Sequence, residues 1–311
     1  MCKGNQTEVT HFLLLGFQGL HELKILLFLV FLLVYIFIIF GNILIIVLVG
    51  DGDHLKIPMF VFLQHLATAD VLLTTTVVPL MLNIIILNEK SISIRDCITQ
   101  MHFIFTFGFV QCFFIAIMSF DRCLAIFNLM HYTSIMRPQI CFRLIGGSWV
   151  LVVFISTEII LVGQLRFCGL NNIDHFFCDF GPTVELATSD TSLLLQVDLV
   201  VSVFMVFFPF AFTVLTYAII LFTILNMSSN SGRRKAFSTC SSHLTTVCAY
   251  YGTLITVSLN SAKQTSNNLN KFSSLLYIVV TPLLNPIIYS LRNHEIKRTL
   301  QISFRLFKIN N

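Results

Sequence analysis

Charge is what this sequence has least of. Asp, Glu, Lys and Arg make up 11% of its 311 residues, against about 25% in soluble domains, and that shortage excludes a large soluble core. Tryptophan occurs once while phenylalanine occurs 32 times, and mean hydropathy is +0.86. There is no Gly-rich phosphate loop and no catalytic triad, and the few acids are not paired for acid–base work, so an enzyme is not expected. No internal repeat of the transporter kind and no low-complexity tract is present. The first 23 residues lack the short apolar region and small-residue cleavage site of a signal peptide. The first apolar run is therefore expected to act as its own insertion signal. No cysteine follows Cys248, so a lipid anchor on the C-terminal segment is not expected.

What is present is apolar runs of membrane length. Runs near or above the roughly 20 residues needed to cross a bilayer fall at 24–49, 59–86, 97–127, 143–163, 193–225, 237–260 and 272–291. Seven runs predict an all-α membrane bundle with its termini on opposite sides. Lys and Arg set the orientation. With the N-terminus outside, Lys56, Arg122, Arg137, Arg143, Arg233, Arg234, Lys235, Arg292, Lys297, Arg298, Arg305 and Lys308 lie within, twelve of the nineteen. Lys3, Lys24, Lys90, Arg95, Arg166, Lys263 and Lys271 lie outside. The glycan sequon Asn5-Gln6-Thr7 agrees with this orientation, and Asn226-Met227-Ser228 would be silent inside. The expected divisions are an extracellular N-terminus over 1–23, a seven-span domain over 24–291 and a cytoplasmic amphipathic segment over 292–311. In that last segment Ile296, Leu300, Ile302, Phe304, Leu306 and Phe307 alternate with basic residues, a pattern suited to lying on membrane lipid.

The chain is organised around Met118-Ser119-Phe120-Asp121-Arg122-Cys123, at the inner end of the third run. An ionised group at a helix centre costs about 2.5–3.5 kcal/mol on insertion scales. On its own, the pair reads equally as a stop-transfer cluster or as a functional device. Asn42, Asp70 and Asn285 lie deep in apolar runs, where polar groups face the bundle interior and bond one another. Pro286 removes a helix hydrogen bond and bends the seventh run, leaving Tyr289 free to swing; Pro209 is expected to bend the fifth.

Five motifs stand in order on these runs: Gly41-Asn42; Pro58-Met59-Phe60 with Leu66-Ala67-Thr68-Ala69-Asp70; Met118 through Ile126; Lys235-Ala236-Phe237-Ser238-Thr239-Cys240-Ser241-Ser242-His243-Leu244; and Pro282-Leu283-Leu284-Asn285-Pro286-Ile287-Ile288-Tyr289-Ser290-Leu291-Arg292-Asn293. From about Leu13 to Phe307 the sequence resembles the vertebrate olfactory receptors, a branch of the rhodopsin-like G-protein-coupled receptors. The resemblance implies a small, apolar odorant as ligand and a stimulatory heterotrimeric G protein as partner, with cyclic AMP as messenger and no nucleic acid.

The same resemblance makes Asp121-Arg122 an inactive-state latch, with Tyr217 and Tyr289 supporting the open form. It makes Asn42, Asp70 and Asn285, with Pro286, the relay between ligand and inner face, sometimes sodium-bound at Asp70. It pairs Cys97 with Cys178. The family's second loop bridge would join Cys168 to the position held here by Thr188, so Cys168 is expected to be free or paired with something unforeseen such as Cys2. Cys123 stands where the family's pattern has Tyr, which puts basal activity in question. Matching ligand positions are Ile104, Phe105, Gly108, Phe109, Cys112, Ser202, Met205, Val206, Tyr251, Leu254, Ile255, Ser258 and Ile278, with Gly108 leaving space and Ser202, Tyr251 and Ser258 as polar handles. Glu158 and Asp198 either favour a cationic ligand or lie at the water interface facing residues such as Arg166. Ile104 stands where amine receptors carry Asp, and residues 273–291 hold no Lys for a retinal Schiff base. His175, Cys178 and Asp179 have metal-like spacing, but Cys178 is the expected disulfide partner. The other classes to weigh are a transporter or channel and a metabolite-sensing receptor of the same fold.

Overall fold

The structure is a computed structural model that describes residues 7–17, 21–52, 57–262, 267–292 and 296; within the helices, the side chains of Lys235, Thr239, 258–262, 267–268 and 290–292 are not described. The expected glycan site at Asn5 and nearly all of the segment after Arg292 lie outside the described residues.

Seven long helices run in sequence. The first is Lys24–Asp51, the second Pro58–Leu87 and the third Ile94–Phe127. The fourth is Pro138–Ile155, tightened into a 3-10 turn over Ser156–Gln164. The fifth covers Ser192–Ser202, Val203–Phe207 and Phe208–Leu225, and the sixth is Asn230–Ala262. The seventh covers Asn267–Leu275, Leu276–Val280 and Thr281–Arg292. Six of them are long and apolar enough to cross a membrane. The sixth has the length, but Ser238, Ser241, Ser242, His243, Thr245 and Thr246 make its inner half polar.

Helix ends follow local chemistry and extend several runs beyond their apolar limits. Pro58 and Pro138 sit at first helical positions, where a missing N–H costs nothing. Ser93 caps the third helix by accepting from the Asp96 backbone N–H at 3.1 Å while donating to the Asp96 carboxylate at 2.8 Å. Asn88 ends the second helix in the left-handed region at φ 69°.

The bundle's outer face is apolar, and its polar groups are gathered inside an otherwise apolar core. Phe37, Phe40, Phe154, Phe204, Phe208 and Phe222 face outward, whereas Asn42, Asp70, Gln111, Asp121, His243 and Asn285 are buried. A bilayer replaces water as the outer solvent, so the interior is where polar groups find partners.

Prolines create much of that demand. Pro286 has no N–H for the carbonyl of Pro282, and Asn42 Nδ2 supplies the missing donor at 3.0 Å. Pro282 likewise frees the carbonyl of Ile278, which accepts from Thr74 Oγ1 at 3.5 Å. Two wide π-helical turns, Val203–Phe207 and Leu276–Val280, lie just before Pro209 and Pro282, where a helix must depart from regular geometry.

A small three-stranded sheet covers the outer end. β1 (His11–Leu14) is its central strand, antiparallel to β2 (Lys90–Ser93) and parallel to β3 (Asn172–Ile173). Gly16 turns the chain away at φ +61°, against Ile84, where any side chain would collide. The buried Lys271 Nζ then ties the seventh helix to this cover, donating to the Gly16 carbonyl at 2.7 Å and to the Asp174 carboxylate.

Candidate ligand cavity and inner switch

Beneath the long outer loop lies a cavity of about 550 Å³, within the size range of small-molecule sites. The third helix contributes Ile104, Phe105, Gly108, Phe109 and Cys112; the fifth Ser202, Val203, Val206, Phe207 and Phe210; the sixth Tyr250, Tyr251, Leu254, Ile255 and Val257; the seventh Ser274, Tyr277 and Ile278. Phe177 and Asp179 come from the long outer loop. Eleven of the thirteen positions nominated from the sequence are thus brought together. Met205 is buried on the π turn of the fifth helix and does not line the cavity. The Ser258 side chain lies outside the described residues.

Gly108 lines the cavity and also leaves space for the Tyr277 hydroxyl. A Cβ there would run into the Tyr277 hydroxyl, and Tyr250 donates to the Gly108 carbonyl at 2.9 Å while touching Cys112 Sγ at 3.0 Å. The two tyrosines therefore occupy the gap beside the third helix and form a wall of the cavity. Each directly precedes a nominated residue, and the π turn rotates that part of the seventh helix, which a regular 3.6-residue period does not anticipate.

The walls are apolar, with few polar points. Tyr251 is buried, and its hydroxyl interacts with the Thr213 side chain without forming a hydrogen bond of full geometry. Asp179 caps the short helix Phe180–Glu185 through the Phe180 N–H at 3.0 Å. Burial pushes its carboxyl up to about 6, an effect partly offset by that hydrogen bond. Glu158 and Asp198 do not line the cavity. Asp198 is the charged neighbour of Glu158, both Glu158 carboxylate oxygens are buried without a hydrogen-bond partner, and among the described residues no ion pair joins either acid to Arg166.

The loop over the cavity is pinned by the Cys97–Cys178 disulfide. Gln100 supports it, accepting from the Cys178 N–H and donating to the Thr76 carbonyl, both at 3.0 Å. Cys168 is not free: it is disulfide-bonded, and none of the other described cysteines is its partner. Thr188 holds the neighbouring strand segment without a bridge, donating from N and Oγ1 to the Arg166 carbonyl at 2.8 and 3.0 Å. His175 is buried between Phe176 and Phe177; burial and the nearby Lys271 push its ring down to about 3.

At the inner end, Arg122 pairs with Asp121. Tyr132, from the short helix Tyr132–Ile135, donates to the other Asp121 oxygen at 2.7 Å. Both carboxylate oxygens are thus engaged, and burial together with Asp121 keeps the Tyr132 hydroxyl protonated well above its ordinary range. Tyr217 meets His243 Nδ1 at 2.6 Å, joining the fifth and sixth helices. Thr216 donates to Ser119 at 3.0 Å, joining the fifth and third. Tyr289 is fully buried.

Between cavity and inner face, Asp70 accepts from Asn285 Nδ2 at 2.7 Å and from Gln111 Nε2 at 2.8 Å. Asn42 does not bond Asp70; its amide serves the Pro282 and Ile38 carbonyls. Gln111, the second Gln of the third apolar run after Gln100, is a buried polar group of the same kind as Asp70 and Asn285.

The sequence profile described as olfactory receptor matches residues 31–305. Human olfactory receptor 10A7 is 42% identical over 294 residues, covering 94% of this chain and 93% of that one. The chain belongs to the olfactory receptor family. Mouse olfactory receptor 1M1 is similar to this receptor at 41% identity, over 96% of this chain and 95% of its own. The crystal structure of squid rhodopsin superposes with a TM-score of 0.75 at 17% identity, covering 92% of this receptor and 87% of that chain, a likeness of fold. The receptor is a multi-pass plasma-membrane protein of the seven-helix type and is not an enzyme, and membership in this family replaces the transporter or channel alternative.

Proposed function

We propose that this receptor binds a small, largely apolar odorant in the cavity under the long outer loop and, when occupied, activates a stimulatory heterotrimeric G protein that raises cyclic AMP. The observation that carries the reading is the cavity itself: about 550 Å³, bounded by four helices and the disulfide-pinned loop, with apolar walls and the Tyr251 hydroxyl. An apolar molecule gains by leaving water for such walls, and a carbonyl, ester or ether oxygen on it would satisfy Tyr251. The same helices that line the cavity end at Arg122, Tyr217, His243 and Tyr289, so a ligand that fits one packing of the bundle better than another shifts the inner face.

The test is a chemically diverse odorant panel applied to cells displaying the receptor, read as cyclic AMP. A ligand-driven rise that Arg122→Ala abolishes at unchanged surface display supports the reading. A response carried through another G protein would revise the partner, and no response to any ligand from a displayed receptor would count against the whole assignment.

A further inference from the structure

The family resemblance raises sodium at Asp70, and the residues present provide a test of fit. Asp70 is fully buried on the second helix and must meet partners for both oxygens. It has them: Gln111 Nε2 from the third helix at 2.8 Å and Asn285 Nδ2 from the seventh at 2.7 Å. An ionised carboxylate only accepts, so each amide must turn its N–H end toward it. That chemistry sets the orientation of Gln111 and directs its carbonyl oxygen away from Asp70. A hard cation needs oxygen ligands converging on one point, whereas an N–H face presents no lone pair and a partial positive charge. The remaining side-chain amide, Asn42 Nδ2, is committed to the Pro282 and Ile38 carbonyls at 3.0 and 2.9 Å. Of the three oxygens left on these amides, Gln111 Oε1 and Asn42 Oδ1 are buried without hydrogen-bond partners.

We infer that the Gln111 side-chain amide takes the place of a cation beside Asp70, so that this receptor neither binds sodium there nor needs it. Two charge-assisted hydrogen bonds stabilise the buried carboxylate, and they lock the second, third and seventh helices to one another directly. Gln111 is the deciding residue. A carboxylate in its place would set two anions side by side, and a cation between them would relieve the repulsion.

The test needs no odorant. The full-length receptor in lipid nanodiscs is melted in sodium chloride and in choline chloride at equal ionic strength. A sodium site filled at ten times its Kd would raise the midpoint by about 3 °C. The expected result is coincident melting curves for the wild type, with sodium-dependent stabilisation appearing in Gln111→Glu and in Gln111→Ala, which uncovers one Asp70 oxygen. A sodium-dependent rise in the wild type would overturn the inference, and so would folded variants that both remain indifferent to sodium. If neither variant folds, the wild-type pair of curves still decides whether sodium binds. Failure here would leave the odorant reading untouched, because neither the cavity nor ligand response enters the measurement.

Discussion

Asn42 donates its side-chain amide to the carbonyl of Pro282, the acceptor that Pro286 leaves empty. The first helix thereby holds the bend of the seventh, and Gly41 beside it allows the close approach: a Cβ at Gly41 would lie 3.0 Å from the Pro286 ring. Replacing Asn42 with Leu leaves a buried carbonyl unsatisfied, at a cost of about 1–3 kcal/mol. The expected outcome is a lower melting temperature by several degrees, measured on purified receptor, with reduced surface display.

Tyr132 completes the partners of Asp121. Tyr132→Phe removes one hydrogen bond from the carboxylate that restrains Arg122, worth about 1–1.5 kcal/mol. Basal cyclic AMP should rise roughly three- to tenfold at equal surface display. An unchanged basal signal would show that this contact does not bias the inner switch.

Gly108 and Tyr277 are coupled through contact. Gly108→Ala should destabilise the receptor by about 1–3 kcal/mol through overpacking, and Tyr277→Phe, by removing the hydroxyl that a Cβ would meet, should restore much of that loss. Thermal melting of the two single variants and the double variant measures the coupling.

His175 makes the outer cover sensitive to acid. Held neutral by burial and by Lys271, with its ring pushed down from 6.5 to about 3, it favours the closed loop fully above pH 6.5. That contribution is lost as pH falls through this window, approaching about 1.4 kcal/mol per unit. Asp174 and Lys271 face it, and Asp174 opposes the shift. Hydrogen exchange at the Leu15 and Gly16 amides, which bond to Ile173 and His175 carbonyls, should lose protection by nearly tenfold per pH unit below 6.5. His175→Gln should flatten that dependence.

The spans and the motif residues were legible because each rests on a long, strongly apolar run or on a charge that such a run tolerates only for a reason. Most cavity positions came from the resemblance to the olfactory receptors rather than from the apolar pattern itself. The strand His11–Leu14 was not legible: four residues followed by the turn at Gly16 acquire their structure only from partners about 80 and 160 positions away. The extra turns of the sixth helix were hidden because Asn230–Ser242 is polar and extends past the apolar run. Lys271 was assigned to the outer side as a loop charge, while its burial depends on Gly16 and Asp174 arriving from elsewhere in the chain. Tyr250 and Tyr277 were missed because hydropathy measures how deep a residue lies and leaves its rotation about the helix open. With Thr188 at the family's partner position, Cys168 was left either free or paired with something unforeseen, and it is disulfide-bonded.

Filling the cavity tests the central claim most directly. Val206 lines it from the fifth helix, far from Arg122, and Val206→Trp would occupy the volume a ligand needs. With an odorant from the panel as agonist, the account predicts potency reduced by at least about a hundredfold, with surface display unchanged. Undiminished potency in a properly displayed Val206→Trp receptor would contradict it, because the signal would then arise from somewhere other than this cavity.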